Sequence, residues 1–276
     1  MQIKYFPVNS KNSYVVFENN DKIEELEPFM KENKLSRVIF SGFLGYSKSV
    51  LPFNEDIDVI EEISIQCSNI TDLTPLYHLS NIKKISIEEN AVLAHPFDIR
   101  KIAKLTDFFT DDTLKIDGFF DHPTLKQLHI EPKKTKKLDI HNENNILESL
   151  SIANSHILDL SDCKKFTNLK GLYIAYLPKI EDINFILGMP TLTDIEICSC
   201  KKIDNLIATL AQKNNLEKLT LWNQGNLDSI IPLSKLEHLT TLNIWEQTKI
   251  IDGKISFLEE MPNLKKIDIR KYTHYH

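Results

Sequence analysis

The sequence lacks an excess of positive charge, and this limits the partners it can bind. Its 33 lysine and arginine residues are outnumbered by 39 aspartate and glutamate residues, which gives a formal net charge of -6. A protein that binds the phosphate backbone of nucleic acids in general needs a basic stripe that displaces counterions. The composition therefore argues against a nucleic-acid partner.

Long apolar runs are also missing. No stretch approaches the roughly 20 apolar residues that a helix needs to cross a bilayer. The segment from Met1 to Val8 lacks the uninterrupted apolar core and the small-residue cleavage site of a secretory signal. We therefore expect a cytoplasmic protein with no membrane partner.

Cysteine is scarce, and its positions do not form a framework of regular pairs. Four cysteines, at 67, 163, 198 and 200, favour reduced thiols over disulfides. Cys198 and Cys200 have no further ligands at a zinc-site spacing, so packing at a bend is the favoured interpretation. The segment Gly42 to Ser49 lacks the contiguous Gly-Lys-Ser/Thr of a phosphate-binding loop. We expect no metal and no cofactor.

The sequence instead contains a repeat. Each copy opens on an apolar residue, and successive opening residues lie 20 to 25 positions apart. A period held over so many copies is a strong indication of a repeat architecture. The opening residues are Ile60, Ile82, Leu105, Leu125, Leu147, Leu169, Leu192, Leu216, Leu239 and Leu264.

Each repeat has two halves with different periods. The first half reads apolar-x-x-apolar-x-apolar, as in Leu169, Leu172 and Ile174, and the two-residue spacing predicts a short strand with one buried face. In the second half apolar residues recur at every third position, as in Ile70, Leu73 and Leu76. That spacing predicts a 3₁₀ or loosely helical return on the opposite side of the coil.

This pattern resembles the leucine-rich repeat family. The stretch from Ile70 to Ile82, Ile-Thr-Asp-Leu-Thr-Pro-Leu-Tyr-His-Leu-Ser-Asn-Ile, is similar to the short-repeat bacterial subclass, and the resemblance covers about residues 35–276. It implies an α/β fold: a curved solenoid with a parallel sheet on the concave side and 3₁₀ or irregular segments on the convex side. It says little about function, because the fold serves many functions.

Residues 1–34 do not follow the repeat. Two strands, from Ile3 to Val8 and from Tyr14 to Phe17, precede a helix that we expect Asp21 to cap. The apolar face of this helix would carry Ile23, Leu26, Phe29 and Met30. A solenoid exposes the interior of its first coil unless something covers it, so we predict a small α/β N-terminal cap. The alternative is that residues 1–34 form a separate binding module. In both cases residues 35–276 are predicted to form about eleven coils.

Three parts of the repeat region are irregular. The repeat pattern blurs between residues 90 and 124, where the segment Ala91 to Ile102 is longer than a plain bend. Leu114-Lys115-Ile116 and Leu138-Asp139-Ile140 are extra alternating pairs, which we predict to be short strands on the back of the coil. No distinct cap follows the last strand, Leu264 to Ile269. Polar side chains, a partner or a second copy would have to shield that end.

The resemblance implies which side chains point out of the coil on the concave side. The position after the second strand apolar residue gives Ile39, Ser64, Ser86, Phe109, His129, Ser151, Tyr173, Glu196, Thr220, Asn243 and Asp268. The position after the third gives Ser41, Gln66, Glu88, Asp111, Glu131, Ala153, Ala175, Cys198, Trp222, Trp245 and Arg270. Eleven strands about 4.8 Å apart would make a surface roughly 50 Å long, enough for a protein partner.

The first group of interest on this surface is acidic. It comprises Glu88, Glu89, Asp107, Asp111, Asp112 and Glu131. A charged run is often only a solvated face. The functional interpretation is electrostatic steering of a basic protein. Like charges on neighbouring strands destabilise a fold, and their presence despite that cost slightly favours the functional interpretation.

The second group is aromatic and comprises Tyr173, Tyr176, Trp222 and Trp245. Both tryptophans of the chain occupy the same repeat position on adjacent coils, where the register predicts that they face water. Exposed aromatic clusters mark binding sites. The alternative is that the rings stack on one another and fill the sheet.

The sequence therefore favours a protein-binding module rather than an enzyme. The predicted contact residues are Tyr173, Tyr176, Trp222, Trp245, Glu88, Asp111, Glu131, His129 and Phe109. His129 lies between acidic residues, but no nucleophile accompanies it, and we expect a solvated histidine. An immunity or inhibitor protein that neutralises a basic toxin or nuclease is an alternative. An enzyme with its site on the stretch 90–124 is less favoured, because that stretch has no nucleophile-base spacing or metal motif. The sequence leaves the partner's identity and the oligomeric state open.

Overall fold

The computed structural model describes residues 1–5, 13–88, 93–111 and 115–276. They form two compact units, residues 1–131 and residues 132–276. No helix in these described ranges is long and apolar enough to span a bilayer. The predicted border between a cap and a repeat region at residue 34 stays a prediction.

The first unit is built on one main sheet with the order β1-β2-β3-β4-β5-β7-β9. The first two strands are antiparallel, which confirms the predicted N-terminal strand pair, and every other neighbouring pair is parallel. The polar turn predicted between those two strands lies mostly outside the described residues. The strands are β1 (Gln2–Tyr5), β2 (Ser13–Val16), β3 (Arg37–Ser41), β4 (Glu62–Gln66), β5 (Lys84–Glu88), β6 (Phe97–Asp98), β7 (Asp107–Thr110), β8 (Ile116–Asp117) and β9 (Gln127–Ile130).

The second unit has a main sheet with the order β10-β11-β12-β13-β15-β17, and all of its neighbours are parallel. Parallel neighbours one repeat apart are what a coil of about 23 residues produces, because each turn returns the chain to the same edge. The strands are β10 (Ser149–Ala153), β11 (Gly171–Ala175), β12 (Asp194–Cys198), β13 (Lys218–Trp222), β14 (Gly225–Leu227), β15 (Thr241–Trp245), β16 (Thr248–Ile250) and β17 (Lys266–Ile269).

The predicted 3₁₀ returns are confirmed. The third-position apolar residues point into the coil, and Leu76, Ile186 and Leu233 at these segments are fully buried. The returns are Thr74–His78, Ile99–Lys101, Ser161–Lys165, Asn184–Gly188, Ile231–Lys235 and Ser256–Glu260. A further 3₁₀ segment, Gly42–Leu44, follows β3 directly and buries no residue. One return is instead a short α-helix, α2 (Leu206–Leu210), in a repeat that is 24 residues long.

The N-terminal helix, α1 (Ile23–Asn33), lies where the sequence predicted it and buries Leu26 and Met30. Its predicted cap is wrong. Lys22 occupies the position before the helix, and no side chain bonds the free N–H groups there. The Asp21 carboxylate turns back instead and accepts a hydrogen bond from the backbone N–H of Glu18 at 2.9 Å.

The predicted strands on the back of the coils are only partly present. Ile116 lies in β8, which pairs with β6 in a separate two-stranded sheet, whereas Leu114 lies outside the described residues. Leu138 and Ile140 are buried but form no strand, because that segment meets its neighbour at a single bridge between Lys137 and Asp159. A second back sheet, β14 with β16, was not predicted.

The end of the second unit differs from expectation. The chain after β17 folds back onto the last coil, where the N–H groups of Ile255 and Ser256 donate to the carbonyl of His276 at 2.8 and 3.1 Å. The hydroxyl of Tyr275 accepts from the N–H of Ile250 at 2.8 Å. The expectation that no segment shields this end is therefore wrong for the back of the coil. On the strand itself Ile267 stays 43% exposed.

Candidate functional site

The strand register decides which side chains leave the coil, and it agrees with the sequence in the second unit. Leu219 and Leu221 point into the core and are fully buried. Between and after them, Thr220 and Trp222 point to the opposite side of the sheet, here called the open face, which corresponds to the predicted concave surface. Trp222 is directly paired with Trp245 on the next strand. The two indoles therefore lie outside the core.

The open face of the second unit carries two parallel rows. The first row runs through Ser151, Tyr173, Glu196, Thr220, Asn243 and Asp268. The second row runs through Ala153, Ala175, Cys198, Trp222 and Trp245.

Pointing away from the core does not make every one of these residues exposed. Ala153, Ala175 and Cys198 are buried and form a small apolar cluster, and Tyr173 and Trp222 pack against it. The expectation that the whole second row faces water is wrong for these positions. Small side chains stand low on the sheet, so larger neighbouring rings cover them.

The aromatic group is partly buried and partly open. The rings of Trp222 and Trp245 meet edge to face, with centroids 6.2 Å apart and planes inclined at 81°. Both indoles and Tyr173 are half-buried, whereas Tyr176 is 51% exposed. The rings therefore support one another as the alternative interpretation required, and they still present apolar surface to solvent.

A left-handed residue follows each of the first five strands of this face, β10 to β13 and β15. Asn154, Tyr176, Ser199, Asn223 and Glu246 occupy equivalent positions with φ between 49° and 55°. Asn is suited to this conformation, but a bulky residue such as Tyr176 adopts it at a cost. The backbone N–H of Tyr176 donates to the carbonyl of Cys198 at 2.9 Å, and Asn223 makes the same bond to Trp245 at 3.3 Å. These bonds extend the ladder by one residue and fix the direction in which the bend leaves the sheet.

The bend places a small depression beside the aromatic group. It has a volume of about 250 Å³. It is lined by Tyr176, Trp222, Asn223, Glu246 and Gln247. Sequence reasoning missed Asn223, Glu246 and Gln247, although the residue following each strand is a regular position of the repeat.

One of the two carboxylates in the first row of the open face is partly buried. Glu196 is half-buried between the strands that carry Tyr173 and Thr220. Burial raises the pKa of its carboxyl above the usual value, and the charge of Asp194 acts in the same direction. The sequence placed Glu196 on this face but did not include it among the contact residues.

In the first unit the acidic residues occupy the predicted row, and several of them are engaged. The Glu88 carboxylate accepts hydrogen bonds from Ser86 Oγ at 2.9 Å and from Gln66 Nε2 at 3.3 Å. Asp107 forms an ion pair with Lys84 at 3.3 Å. Glu131 and Asp111 are half-buried. Glu89 and Asp112, the other two members of the predicted group, lie outside the described residues.

His129 is not the solvated histidine that the sequence predicted. Its ring stacks on Phe109, with centroids 4.1 Å apart and planes inclined at 9°. The two residues are direct partners on β7 and β9. Burial lowers the pKa of His129 to about 4, against the opposing charge of Asp111. The imidazole is therefore neutral at pH 7 and forms half of an aromatic pair.

A larger groove on the open face of the first unit was missed. It encloses about 560 Å³ between β2, β3 and β4, with Phe43 and Leu44 on its apolar side and the ion pair of Arg37 with Glu62, at 2.6 Å, on its polar side. Phe43 is 87% exposed. An aromatic residue directly after a glycine in an irregular bend was the available signal.

All four cysteines are free and buried. Burial raises the pKa of Cys200 to about 11 and that of Cys163 further still. The thiol of Cys200 lies 3.3 Å from the carbonyl of Cys198, which agrees with packing at the bend. Within the described ranges, no cluster of three or more His, Cys, Asp or Glu residues could hold a metal ion.

Comparison with known proteins bears on the fold. No family model matches the sequence. The crystal structure of an internalin (InlF) from Listeria monocytogenes is similar, with 18% sequence identity over 91% of this chain and 71% of that chain and a TM-score of 0.54. Internalin C2 and the functional domain of InlJ, from the same species, are also 18% identical, over 66% and 80% of this chain and 72% and 54% of theirs. Their TM-scores of 0.38 and 0.39 are too low to support an argument.

Proposed function

The chain has the leucine-rich repeat fold, and on that premise we propose that it is a protein-binding module whose contact surface is the open face of residues 132–276. The aromatic group on that face, Tyr173, Tyr176, Trp222 and Trp245, is the anchor. Internalins share the fold, but at 18% identity the likeness does not identify a partner.

The observation that carries this proposal is the position of the two indoles. They lie outside the core on adjacent strands, and each keeps part of its surface accessible. Burying one aromatic side chain contributes on the order of 2 kcal/mol to association, and such residues dominate the energetics of interfaces. An interface that covers the accessible part of both rings would add to the burial that they already have within the chain.

The acidic residues of the first unit have a different proposed role. Glu88 lies at the end of β5, Asp111 and Glu131 directly follow the neighbouring strands β7 and β9, and the chain carries a net charge of -6. Such a field accelerates the approach of a basic protein more than it tightens the final complex. Phe109 and His129, stacked among these carboxylates, would offer a flat neutral surface inside the acidic region.

The experiment is capture of the partner from the source cell, followed by reconstitution with the purified partner. The immobilised wild-type chain is compared with the Trp222→Ala, Trp245→Ala double variant. The control is Ile231→Ala with Ile251→Ala, which removes two exposed apolar side chains from other faces. We expect capture by the wild type and by the control but not by the tryptophan variant. Equal capture by all three proteins contradicts the proposal.

The inhibitor alternative concerns the identity of the same partner. A basic toxin or nuclease is a protein that an acidic surface would attract, so the captured partner decides between inhibition and simple binding. Loss of the partner's activity in the complex would establish inhibition.

The enzyme alternative has little support from the irregular stretch. Its buried His122 is fully engaged: Nε2 contacts the carbonyls of Ile99 and Ile102 at 3.0 and 3.2 Å, and Nδ1 accepts from the N–H of Thr124 at 3.2 Å. Burial lowers its pKa. A neutral histidine whose two nitrogens hold backbone groups stabilises the stretch and is not available as a base.

A further inference from the structure

The depression lined by Tyr176, Trp222, Asn223, Glu246 and Gln247 has a composition that selects one type of ligand group. Two of its walls are aromatic. Its polar lining residues are Glu246, Asn223 and Gln247, and among the residues that the structure describes no lysine or arginine lines it. From this chemistry we propose that the depression is the seat of an arginine side chain of the protein partner. The inference rests on the proposed function and specifies what the aromatic anchor binds.

The size of the depression argues for a side chain rather than a cofactor. At about 250 Å³ it lies below the range of roughly 300–1,000 Å³ typical of small-molecule sites. It is open to solvent at the exposed ring of Tyr176. One long side chain projecting from a protein surface fits these dimensions.

The negative charge of Glu246 favours a cationic ligand group in the depression. Arg270 contacts Glu246 only through a backbone carbonyl, at 3.4 Å, and its guanidinium lies over the ring of Tyr272 at 5.6 Å. Among the described residues, no cation forms an ion pair with the Glu246 carboxylate. A guanidinium in the depression would supply the missing partner and would stack on an aromatic face.

A buried acceptor beside Glu246 gives an independent indication. The Asn223 side chain donates through Nδ2 to Ser199 Oγ at 2.8 Å, while its Oδ1 is buried and has no hydrogen-bond partner among the described residues. Buried carbonyl oxygens are rarely left unpaired, and each such group calls for an explanation. A guanidinium that entered the depression would bring five N–H donors in a fixed planar arrangement next to Asn223.

The geometry of the rings explains why the seat is preformed. Trp222 packs on the cluster of Ala153, Ala175 and Cys198, and the ring of Trp245 meets it edge to face. Trp222 is thus fixed on two sides. Its remaining surface forms one wall of the depression, so a guanidinium would not have to order the ring on binding.

The test uses the full chain and nuclear magnetic resonance. Because the chain has two tryptophans, an ¹⁵N-labelled sample gives two indole N–H signals, and Trp222→Phe and Trp245→Phe variants assign them. The probe is the peptide acetyl-Gly-Arg-Gly-amide. Its matched control carries citrulline, which has nearly the same shape as arginine but no charge. We expect the arginine peptide to shift the Trp222 signal saturably and the citrulline peptide to bind at least about tenfold more weakly.

Two further variants locate the interaction. Glu246→Gln should weaken binding of the arginine peptide about tenfold, and Asn223→Asp, which adds a second carboxylate in a residue type that tolerates φ of 55°, should strengthen it. Glu260→Gln removes an exposed carboxylate from a 3₁₀ segment and should have no effect. Equal binding of the citrulline peptide, an unaffected Glu246→Gln variant, or no saturable shift would each overturn the arginine seat.

The outcomes separate this inference from the proposed function. If the arginine peptide fails to bind while partner capture still requires Trp222 and Trp245, the arginine seat is wrong and the protein-binding function stands. If the peptide binds while capture is indifferent to both tryptophans, the seat exists and the proposed contact surface is wrong.

Discussion

The side chains of Trp222 and Trp245 are paired across adjacent parallel strands, and their rings meet edge to face at 6.2 Å. The residues just before them on each strand, Leu221 and Ile244, point the other way and are fully buried. One residue of sequence therefore separates a core position from a surface position. This relationship underlies both the proposed function and the predictions that follow.

The two faces of strand β13 should respond differently to truncation. Leu221→Ala leaves a cavity in the core and should lower the free energy of unfolding by about 2–5 kcal/mol. Trp222→Ala removes a half-buried ring that lies over small neighbours, so the free energy of unfolding should fall by only about 1 kcal/mol. Urea unfolding of both variants measures the difference. A loss as large for Trp222→Ala as for Leu221→Ala would mean that the indole belongs to the core.

The protein should be less stable with tyrosine at position 176 than with asparagine there. Its φ of 53° disfavours a bulky side chain, and the equivalent positions 154 and 223 both hold asparagine. We expect Tyr176→Asn to raise Tm by about 1–3 °C while it weakens partner binding. Calorimetry and a binding assay on the same sample test this. A fall in Tm would show that the contacts of the ring stabilise the fold by more than the left-handed backbone costs.

The buried thiols provide a probe of the aromatic cover. Since all four cysteines are buried and burial raises the pKa of Cys200 to about 11, the folded protein should react slowly with a thiol reagent at pH 8, and all four should react once it is denatured. Cys198 packs with Trp222, so Trp222→Ala should accelerate labelling at Cys198 and leave Cys163 protected. Mass spectrometry of the labelled peptides locates the sites. Rapid labelling of Cys198 in the wild type would contradict the packing described.

The stack of His129 on Phe109 should make the stability of the first unit depend on pH. Burial lowers the pKa of His129 from 6.5 to about 4, so the unfolded chain binds the proton more readily. The free energy of unfolding is therefore highest above about pH 6.5 and falls as the pH drops towards 4. Between pH 7.5 and pH 5 the loss should reach up to about 2 kcal/mol.

The variant His129→Phe isolates this effect, because it keeps an aromatic partner for Phe109 but cannot titrate. Its urea midpoint should fall less than that of the wild type over the same pH range. The buried His122 is unchanged in both proteins and contributes with the same sign. Identical pH profiles would show that protonation of His129 does not destabilise the fold.

The steering role of the acidic residues concerns rates. The triple variant Glu88→Gln, Asp111→Asn and Glu131→Gln should associate more slowly with a basic partner, and its rate should depend less on salt. Stopped-flow association at several ionic strengths measures both quantities. An unchanged rate at low salt would exclude steering by these groups.

The repeat, the register and the 3₁₀ returns could be predicted from the sequence, because a spacing of two places successive side chains on opposite faces whatever the neighbours are. The burial of Ala153, Ala175 and Cys198 could not, because it depends on rings from other strands that lie over them. The stack of His129 likewise needs Phe109, which lies 20 residues earlier in the sequence. The local periodicity determines to which side of the sheet a side chain points, whereas contacts between repeats determine whether that side chain is exposed.

The same limit applies to the candidate site. Trp222 and Trp245 were predicted by their repeat position, but the depression beside them is formed at the bends, where the left-handed residues Asn223 and Glu246 follow the strands. A pattern of apolar residues carries no information about which bend residue meets which ring. The exposed Phe43 and the groove beside it were missed for the same reason.

The most direct test of the binding surface is the dissociation constant of the purified partner for three proteins: wild type, Trp222→Ala with Trp245→Ala, and Ile231→Ala with Ile251→Ala. The account predicts that the tryptophan variant binds at least about a hundredfold more weakly, a loss of roughly 3 kcal/mol, while the isoleucine variant binds like the wild type. Equal dissociation constants for a folded tryptophan variant and the wild type would contradict it.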